Sequence, residues 1–542
     1  MNQRPFAITL DVGSSRSNHT GSWRVERPVY VDRLPPCNNA CPAGENIQGW
    51  LYEAESGDYE AAWRKLVEEN PFPAIMGRIC FHPCETACNR AQVDEAVGVN
   101  AVERFLGDYG IEHGLQLPSA GPDSGKRVLV VGAGPAGLSA TYHLRRLGHR
   151  VRLVDSSSQL GGMMRYGIPA YRLPRSVLDA EIARVLDMGV EVVLNHSVAD
   201  IEKERHEGRF DAVFLAVGAQ LGKRVNIPAG DSARILDAVT FLHQVADDNP
   251  PLLGRRVVVY GGGDTALDAA RTARRLGATD AVIVYRRNQE HMPAHGEELE
   301  QALGEGVTMR WLSTINQVDV GTIVLEKMRL NAEGFPEATG EYEEIGADSV
   351  VLALGQDTDL SLLTTAHDIH VSDGVVEVES DLMTSGRGIF AGGDAVPAER
   401  TATVAVGHGK KAARGIDAFV RGVSPATPVK HDVAAFENLN TWYYSDAERT
   451  QRPELERVRR QDNFEEVVMG LTERNALFEA RRCMSCGNCF ECDNCFGVCP
   501  DNAVLKLGQS GKYEIDLDFC KGCGICVHEC PCGAIEMIPE RI

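Results

Sequence analysis

The chain has 542 residues, a length that allows three or four domains with buried cores. Its formal net charge of −22 argues against a nucleic-acid partner, because phosphate groups attract basic side chains. No apolar run is long enough to cross a bilayer, and residues 1–15 lack the pattern of a secretion signal. We therefore expect a cytoplasmic protein that does not bind membranes.

The cysteines are concentrated near the two ends of the chain. Five of the sixteen lie between Cys37 and Cys88 and eleven between Cys483 and Cys532, whereas residues 89–482 contain none. Structural disulfides are disfavoured in a reducing compartment and would be more widely spread. The two clusters therefore indicate metal-binding domains.

The chain begins with a segment that has no clear domain character. Residues 1–30 carry several arginines and three aromatic side chains, and they are predicted to form an arm. The arm could dock on a partner subunit or extend as an ordinary tail. Residues 31–122 are predicted to form a separate domain, with the cysteines Cys37, Cys41, Cys80, Cys84 and Cys88.

A dinucleotide-binding fingerprint begins at Lys126. An apolar strand runs into G-A-G-P-A-G, which is followed by an amphipathic helix and a second strand that ends in an acid. The first glycine allows a tight turn, the second lets the backbone approach the pyrophosphate, and the third lets helix pack on strand. The pyrophosphate is expected at the helix N-terminus and the carboxylate on the ribose hydroxyls. The predicted site residues are Gly132, Gly134, Pro135, Ala136, Gly137 and Asp155.

A second fingerprint follows from Arg255. Its glycine motif again lies between a strand and a helix, but the next strand ends in two arginines instead of an acid. Two guanidinium groups suit a 2′-phosphate, so NADPH is predicted in preference to NADH. The alternative is a pair of solvated surface arginines without a ligand. The predicted site residues are Gly261, Gly263, Asp264, Thr265, Arg286 and Arg287.

A third motif, GRGIFAGGDAV at residues 386–396, predicts a strand that leads into another helix. The arrangement is similar to the closing motif of two-dinucleotide flavoproteins of the disulfide-reductase class, whose aspartate binds the ribityl and diphosphate groups of FAD. The helix N-terminus would stabilise reduced, anionic flavin. His408 is either a flavin contact or a structural histidine. The predicted FAD site also includes Gly162, Gly393, Asp394 and Thr403.

These motifs predict a discontinuous FAD domain at residues 123–222 and 347–425, with an NADPH domain at 223–346 inserted between its halves. The segments FLAVGA and VVLALGQDTD look like the strands that cross between the two domains. Neither domain contains a cysteine, so electrons are expected to leave the flavin through iron–sulfur clusters and not through a protein disulfide. Residues 426–475 are charged and are predicted to form a surface-crossing linker with some helix.

Residues 476–542 contain two copies of C-x2-C-x2-C-x3-C-P. Three thiolates of one copy ligate one cubane, and the fourth ligates the other, whereas a zinc ribbon would use two C-x2-C pairs. The first [4Fe-4S] cluster is predicted on Cys489, Cys492, Cys495 and Cys530. The second is predicted on Cys499, Cys520, Cys523 and Cys526. The segment resembles bacterial two-cluster ferredoxins, and Cys532 remains as a spare thiol.

Residues 31–425 resemble the small subunit of NADPH-dependent glutamate synthase and its relatives. The resemblance rests on the two fingerprints, on PPCNNACPAGENIQGWL, and on the segments GGMMRYGIPAYRLP and YRRNQEHMPA. The relatives include the large subunit of transhydrogenases that couple NADPH and ferredoxin, and the N-terminal part of dihydropyrimidine dehydrogenase. The resemblance implies a helical N-terminal domain with two [4Fe-4S] clusters. The predicted fold is α/β, with two Rossmann-like domains between that helical domain and a ferredoxin-like α+β domain.

The family pattern of N-terminal cysteines opens with A-x-R-C-x2-C, which the N-terminus of this chain lacks. The same pattern stands near the other end, at Ala480–Cys486. We therefore hypothesise that the C-terminal segment folds back onto the N-terminal domain. One cluster would then take Cys37, Cys88, Cys483 and Cys486. The other would take Cys41, Cys80, Cys84 and Glu103, with Gln92 as the alternative to Glu103. Ligation by a neighbouring subunit and the absence of ligation are the competing interpretations.

Together these parts predict an FAD-dependent NAD(P)H oxidoreductase with four [4Fe-4S] clusters. Hydride would pass between cofactors without a catalytic side chain, and the clusters would carry single electrons. Because no substrate domain remains, we expect an electron-transfer subunit that serves a ferredoxin-dependent partner such as a 2-oxoacid oxidoreductase, with a homodimer also considered. The alternatives are a glutamate synthase small subunit, a freestanding NADPH–ferredoxin oxidoreductase, and a non-enzymatic docking scaffold.

Overall fold

The computed structural model describes residues 19–223, 225, 227–229, 234–424, 431–508 and 512–540. Most of the predicted N-terminal arm and the first residues of the predicted linker lie outside these ranges. In the described part of the chain, none of the helices has the length and apolar character that crossing a membrane requires.

Among the described residues from 19 onward, the N-terminal part contains one strand and six α-helices. They are β1 (Glu26–Tyr30), α1 (Pro36–Ala40), α2 (Ile47–Glu55), α3 (Tyr59–Val67), α4 (Pro73–Ile79), α5 (Pro83–Thr86) and α6 (Val99–Glu112). Asn46 and Asp58 are the N-cap residues of α2 and α3. Their side chains accept hydrogen bonds from backbone N–H groups of the first turn. Helices α2, α3 and α6 bury their apolar faces against each other around Trp50 and Leu66. The predicted helical domain is confirmed.

The first Rossmann-like domain follows. Its elements are β2 (Arg127–Val131), α7 (Pro135–Arg146), β3 (Arg150–Val154), α8 (Met163–Tyr166), α9 (Arg175–Leu186), β4 (Glu191–Val193), α10 (Ile201–Gly208), β5 (Ala212–Leu215) and β6 (Leu221–Gly222). Strands β2 and β5 are almost entirely buried, as expected for a parallel sheet covered on both faces. Gly132 and the N-terminus of α7 therefore lie at the carboxyl edge of this sheet.

The inserted domain contains a second parallel sheet and an antiparallel one. Its elements are β7 (Ile235–Asp237), α11 (Ala238–Ala246), β8 (Arg256–Tyr260), α12 (Asp264–Arg275), β9 (Asp280–Val284), α13 (Gly296–Gly304), β10 (Thr308–Arg310), β11 (Ser313–Asp319), β12 (Thr322–Leu330), β13 (Pro336–Gly346) and β14 (Ser349–Leu352). The parallel sheet has the order β10-β9-β8-β14-β7, and β11-β12-β13 form the antiparallel sheet.

The position of β14 corrects the predicted domain boundary at residue 347. This strand pairs with β7 and β8 and is therefore central to the sheet of the inserted domain. Its Val350 and Val351 pack into apolar clusters on opposite faces of that sheet, which explains the continuous apolar run. The chain thus returns to the first domain after residue 352.

The returning segment completes the first domain. It forms β15 (Gln356–Asp357), β16 (Val371–Ser372), β17 (Val375–Val376), β18 (Ile389–Ala391) and α14 (Ala402–Arg421). Strand β18 pairs with β5, so the five-stranded sheet has the order β18-β5-β2-β3-β4. Strand β15 pairs with β6, and the two connections between the domains therefore run side by side.

The C-terminal part contains α15 (Glu473–Ala480), α16 (Asn494–Val498), β19 (Val504–Lys506), β20 (Tyr513–Ile515), α17 (Ile525–His528) and β21 (Ile535–Pro539). Strand β21 pairs with β1, so this part of the arm docks on the C-terminal domain of its own chain and not on a partner subunit. The described residues 431–472 form short 3-10 turns instead of α-helix. The segment also buries Leu455 and Val467, and it is therefore not a purely surface-crossing linker.

Candidate functional site

Two glycines of the first fingerprint are packed against backbone. Gly132 has a φ of +104°, and a Cβ there would lie 2.2 Å from the carbonyl oxygen of Ala216. A Cβ on Gly137 would lie 1.8 Å from the carbonyl oxygen of Gly132. Both positions exclude a side chain because strand, turn and helix meet there.

Gly134 differs because it faces open space. A Cβ there would meet only the Cα of Gly162, at 3.9 Å. Gly134 is also the N-cap residue of α7, where free N–H groups and the helix dipole favour an anion. The space beside Gly134 therefore fits a dinucleotide pyrophosphate.

A cleft between the two Rossmann-like domains brings together most of the predicted FAD-site residues. Those that line it are Gly132, Gly134, Pro135, Ala136, Asp155, Gly162, Gly393 and Asp394. The Asp155 carboxylate accepts a hydrogen bond of 2.7 Å from the backbone N–H of Ala133, which holds it beside the glycine turn. Burial raises the pKa of Asp394.

Three predicted residues do not line this cleft. Gly137 is packed inside the turn, and Thr403 is buried with its Oγ1 3.6 Å from Met76 Sδ. His408 Nδ1 accepts a hydrogen bond of 3.1 Å from the backbone N–H of Gly393, and burial lowers the pKa of the imidazole. His408 therefore orients the Gly393 turn, and its role as a flavin contact stays a prediction.

The second fingerprint repeats the division between packed and open glycines. Gly261 has a φ of +151°, and a Cβ there would lie 2.1 Å from the carbonyl oxygen of Ala353, whereas Gly263 has nothing within 4 Å. Gly263 is the N-cap residue of α12, whose N-terminus provides the same anion-binding geometry. Asp264 and Thr265 line the same cleft as the FAD-site residues. The two nucleotide sites therefore face each other.

Arg286 and Arg287 follow β9, at the carboxyl edge of the inserted sheet. Arg286 is exposed, and the guanidinium of Arg287 lies 5.9 Å from the ring centre of Phe335. The Nε atom of Arg287 is buried and lacks a hydrogen-bond partner among the described residues. A buried donor without a partner at this edge suits the binding of an anionic group.

The N-terminal cysteines sort into two groups of neighbouring side chains. Set A consists of Cys41, Cys80, Cys84 and Glu103. Set B consists of Cys37, Cys88, Cys483 and Cys486. Burial, followed by the charges of Cys483, Cys88 and Cys486, raises the pKa of Cys37. The C-terminal segment therefore folds back and brings Cys483 and Cys486 to the N-terminal domain of the same chain.

Set A contains a buried carboxylate. Burial, followed by the charges of Glu85, Cys80, Cys41 and Glu103, raises the pKa of Cys84. Glu103 is 6 % exposed, and its Oε1 accepts a hydrogen bond of 3.0 Å from Nδ2 of Asn70. Gln92 is exposed, so the structure brings Glu103 and not Gln92 to these thiols.

The cysteines of the C-terminal domain also sort into two groups. Set C consists of Cys489, Cys492, Cys495 and Cys530. Set D consists of Cys499, Cys520, Cys523 and Cys526. Burial, together with repulsion from the other thiols of its set, raises the pKa of Cys495 in set C and of Cys526 in set D. Cys495 also lies within electrostatic range of Cys526, so sets C and D are adjacent.

The donor chemistry fits iron–sulfur clusters. Buried thiols that repel each other ionise only when a cation compensates, and metal binding provides that compensation. Three thiols plus a carboxylate, or four thiols, match the ligand number of a cubane. Among the residues with described positions, no three His, Cys, Asp or Glu side chains converge to hold one metal ion.

A buried ion network holds the folded-back segment in place. Arg482, 3 % exposed, donates hydrogen bonds of 3.0 Å to the carbonyl oxygens of Ala447 and Ala96 and pairs with Asp94 at 3.2 Å. Glu479 is fully buried, pairs with Arg482 and accepts a hydrogen bond from the backbone N–H of Gly98. These buried roles were not predicted from the sequence, because charged residues in a charged segment are usually solvated. Only the A-x-R-C pattern pointed to Arg482.

Sets B and C are joined by a very short piece of chain. Two residues separate Cys486 from Cys489, so their Cα atoms lie at most about 11 Å apart. Gly487, between them, has a φ of +79°, and a Cβ there would lie 2.6 Å from Cβ of Arg33. The junction therefore needs a glycine.

Comparisons with known proteins identify the parts of the chain. A model of pyridine nucleotide-disulphide oxidoreductases matches residues 126–409. A model of dihydropyrimidine dehydrogenase domain II with a 4Fe-4S cluster matches residues 26–115, and a 4Fe-4S dicluster domain matches residues 488–534. Fold and site thus define an FAD-dependent NAD(P)H oxidoreductase with iron–sulfur clusters. The chain belongs to the pyridine nucleotide-disulphide oxidoreductase family.

Several relatives match most of the chain. The NADP(+)-dependent formate dehydrogenase subunit beta of Moorella thermoacetica is 32% identical, covering 83% of this chain and 70% of that protein. The NADPH-Fe(3+) oxidoreductase subunit beta of Geobacter sulfurreducens is 30% identical, covering 85% and 77%. The glutamate synthase (NADPH) small chain of Escherichia coli is 31% identical, covering 70% and 88%. Lactococcus lactis thioredoxin reductase matches 55% of this chain and 100% of that chain at 20% identity, with a TM-score of 0.44.

Proposed function

We propose that this chain is the electron-transfer subunit of a larger complex and passes electrons between NADPH and one-electron carriers. Bound FAD and four [4Fe-4S] clusters would convert the electron pair of a hydride into single electrons, or the reverse. The protein would contribute the facing nucleotide sites and the order of the ligand sets. The observation that carries the proposal is the adjacency of cleft and ligand sets along one chain.

The adjacency begins at the cleft. Ile79 and Phe81, which flank the set A residue Cys80, both line the cleft between the Rossmann-like domains. Set A is therefore the ligand set nearest to the flavin site in this proposal.

Short chain segments connect each ligand set to the next one. Cys37 of set B and Cys41 of set A are joined by α1, where the backbone N–H of Cys41 donates to the carbonyl oxygen of Cys37 at 3.1 Å. Cys486 of set B and Cys489 of set C are separated by two residues, and sets C and D share one small domain. We infer the order cleft, set A, set B, set C, set D.

The ligand roles are part of the proposal. Each set would hold one [4Fe-4S] cluster, with Glu103 as the carboxylate ligand in set A. Asn70 would position Glu103, because its Nδ2 donates to the carboxylates of both Glu103 and Glu45. Arg286 and Arg287 would bind the 2′-phosphate, which favours NADPH over NADH.

The partner is proposed from the names of relatives and from the extra domain. Two relatives are named as beta subunits, which supports a partner subunit for this chain. We propose a ferredoxin-dependent enzyme, such as a 2-oxoacid oxidoreductase, as the partner class. The similarity to a formate dehydrogenase subunit favours a second candidate, a partner that acts on formate. A cytoplasmic location stays a prediction.

The function is tested by anaerobic reduction assays with the purified protein. NADPH should bleach the bound flavin and reduce a viologen dye, and NADH should do so more slowly. A bound flavin that NADPH cannot bleach would contradict the proposal and favour a docking scaffold. Polypeptides that co-purify from the native host would identify the partner.

A further inference from the structure

Cys532 is the cysteine that the four ligand sets leave over, since the sets contain fifteen of the sixteen. Its side chain is 2 % exposed, and its Sγ lies 3.7 Å from Sγ of Cys530, a member of set C. A buried thiol in contact with a ligand sulfur lies within reach of the iron that this sulfur would bind.

Three separate segments hold the turn that carries Cys532. The carbonyl oxygen of Cys532 accepts a hydrogen bond of 2.7 Å from the backbone N–H of Gly487. The carbonyl oxygens on either side accept from Nη1 of Arg33 at 2.6 Å and from the backbone N–H of Asn440 at 3.1 Å. The two sulfurs therefore share one rigidly anchored turn, beside the junction of sets B and C.

We propose that Cys532 is an alternative ligand of the [4Fe-4S] cluster of set C and can replace Cys530. This inference rests on the ligand assignment proposed above. In the exchange, the iron–sulfur bond to Cys530 breaks and a bond to Cys532 forms. The proton of the Cys532 thiol passes to the released Cys530 thiolate, and no electron is gained or lost. The new ligand would come from the turn that contacts Gly487.

The repeated pattern supplies a matched control. Cys530 is followed by Pro531 and Cys532, whereas its counterpart Cys499 is followed by Pro500 and Asp501. Asp501 offers a carboxylate where Cys532 offers a thiol, and unlike the carboxylate proposed for set A it is ion-paired, with Oδ1 3.9 Å from Nζ of Lys521. Set D therefore lacks the sulfur that we propose as the reserve ligand of set C.

The test compares Cys530→Ala, Cys532→Ala, the double variant and Cys499→Ala, all purified anaerobically as full chains. Iron and acid-labile sulfide are measured per FAD, and reduced samples are compared by EPR. Both single variants of the Cys530 turn should keep the iron content of the wild type, with an altered EPR spectrum only for Cys530→Ala. The double variant and Cys499→Ala should each lose about four iron atoms per chain.

Iron loss from Cys530→Ala equal to that of Cys499→Ala would overturn the inference, even if the double variant failed to fold. An unaltered EPR spectrum of Cys530→Ala would overturn it as well, because the ligand would not have changed. The double variant Cys489→Ala/Cys532→Ala tests the ligand assignment itself, because it removes one ligand of set C together with the proposed reserve ligand. If that variant kept all its iron, set C would hold no cluster, and both the ligand assignment and this inference would fail.

Discussion

In each of the two fingerprints, one glycine is needed for the fold and another for cofactor binding. Gly132 and Gly261 are packed against backbone, so a side chain there would disturb the fold. Gly134 and Gly263 face open space at the N-termini of α7 and α12. A side chain there fits the protein but fills the space that the nucleotide pyrophosphate would occupy. The open positions can therefore test each nucleotide site alone.

We expect Gly134→Val to fold and to be purified without FAD. Gly263→Val should keep its FAD, but NADPH should no longer bleach it, because only the pyrophosphate space of the second fingerprint is filled. Flavin absorbance and anaerobic NADPH titration measure the two outcomes, and each variant controls for the other. Normal flavin bleaching in Gly263→Val would contradict the placement of the NADPH pyrophosphate.

Glu181 makes the stability of the protein depend on pH. Its fully buried carboxylate accepts hydrogen bonds of 2.9 Å from the backbone N–H groups of Ala74 and Ile75, at the start of the helix that leads to Cys80. Burial raises the pKa of Glu181 from 4.5 to about 8. Because the folded pKa is the higher one, its stabilising contribution is complete below about pH 4.5 and is lost as pH rises toward about 8.

We expect the wild type to lose stability relative to Glu181→Gln between about pH 5 and pH 8, by about 4 kcal/mol at most. Thermal midpoints across this range measure the difference. Glu207→Gln is the control, since Glu207 is exposed on α10 and its removal should leave the pH profile unchanged. A difference between wild type and Glu181→Gln that stayed constant with pH would speak against a raised pKa.

Two elements bring the ends of the chain together. Strand β1 pairs with β21 over five residue pairs, and Tyr30 Oη lies 3.2 Å from Sγ of Cys495 in set C. Helix α15 leads into the Arg482 network and delivers Cys483 to set B. The elements at both termini therefore complete ligand sets or cover them.

We expect Arg482→Met to lose the cluster of set B and to keep those of sets C and D. The substitution leaves the buried carboxylate of Glu479 without its cation, which costs about 3–5 kcal/mol, whereas the half-buried Asp94 keeps its pair with Arg90 at 2.6 Å. Iron per FAD should fall by about four atoms. Arg481→Met is the matched control, because Arg481 is exposed. Equal iron contents in the two variants would show that the network does not position Cys483.

The whole molecule is tied together by the segment between the Rossmann-like domains and α15. The backbone N–H of Val467 donates to the carbonyl oxygen of Tyr171 in the first domain at 2.9 Å. Glu466 pairs with Arg78 of the helical domain at 2.7 Å, and Gln461 contacts the carbonyl oxygen of Glu305 in the inserted domain. The segment thus crosses all three domains before it delivers Cys483 to set B of its own chain.

For the molecule as a whole, we expect all four ligands of the set B cluster to come from one chain. Cys37→Ala and Cys483→Ala chains, co-expressed with different tags, should each lack the set B cluster and should not rescue each other. Iron per FAD in the mixed sample measures this, with each variant expressed alone as reference. Recovery of iron in the mixture would instead support exchange of the C-terminal segment between subunits.

The features that depend on neighbours along the chain were predictable from the sequence. The fingerprints, the ferredoxin spacing and the order of domains can be recognised from short sequence motifs. The family and the fold class predicted from them are confirmed. The boundary near residue 347 was wrong, because an apolar strand such as β14 does not reveal which of two parallel sheets it joins. The ligand roles stay predictions, although the structure groups the side chains as expected.

The amino-acid sequence by itself determined the chemistry of the donors, since glycine turns and cysteine spacings act over a few residues. Only the tertiary structure placed Glu103 and not Gln92 beside the thiols of set A, docked β1 on β21, and buried Arg482 with Glu479. These choices depend on contacts between segments hundreds of residues apart. Their energies come from burial and pairing, which a local pattern does not encode.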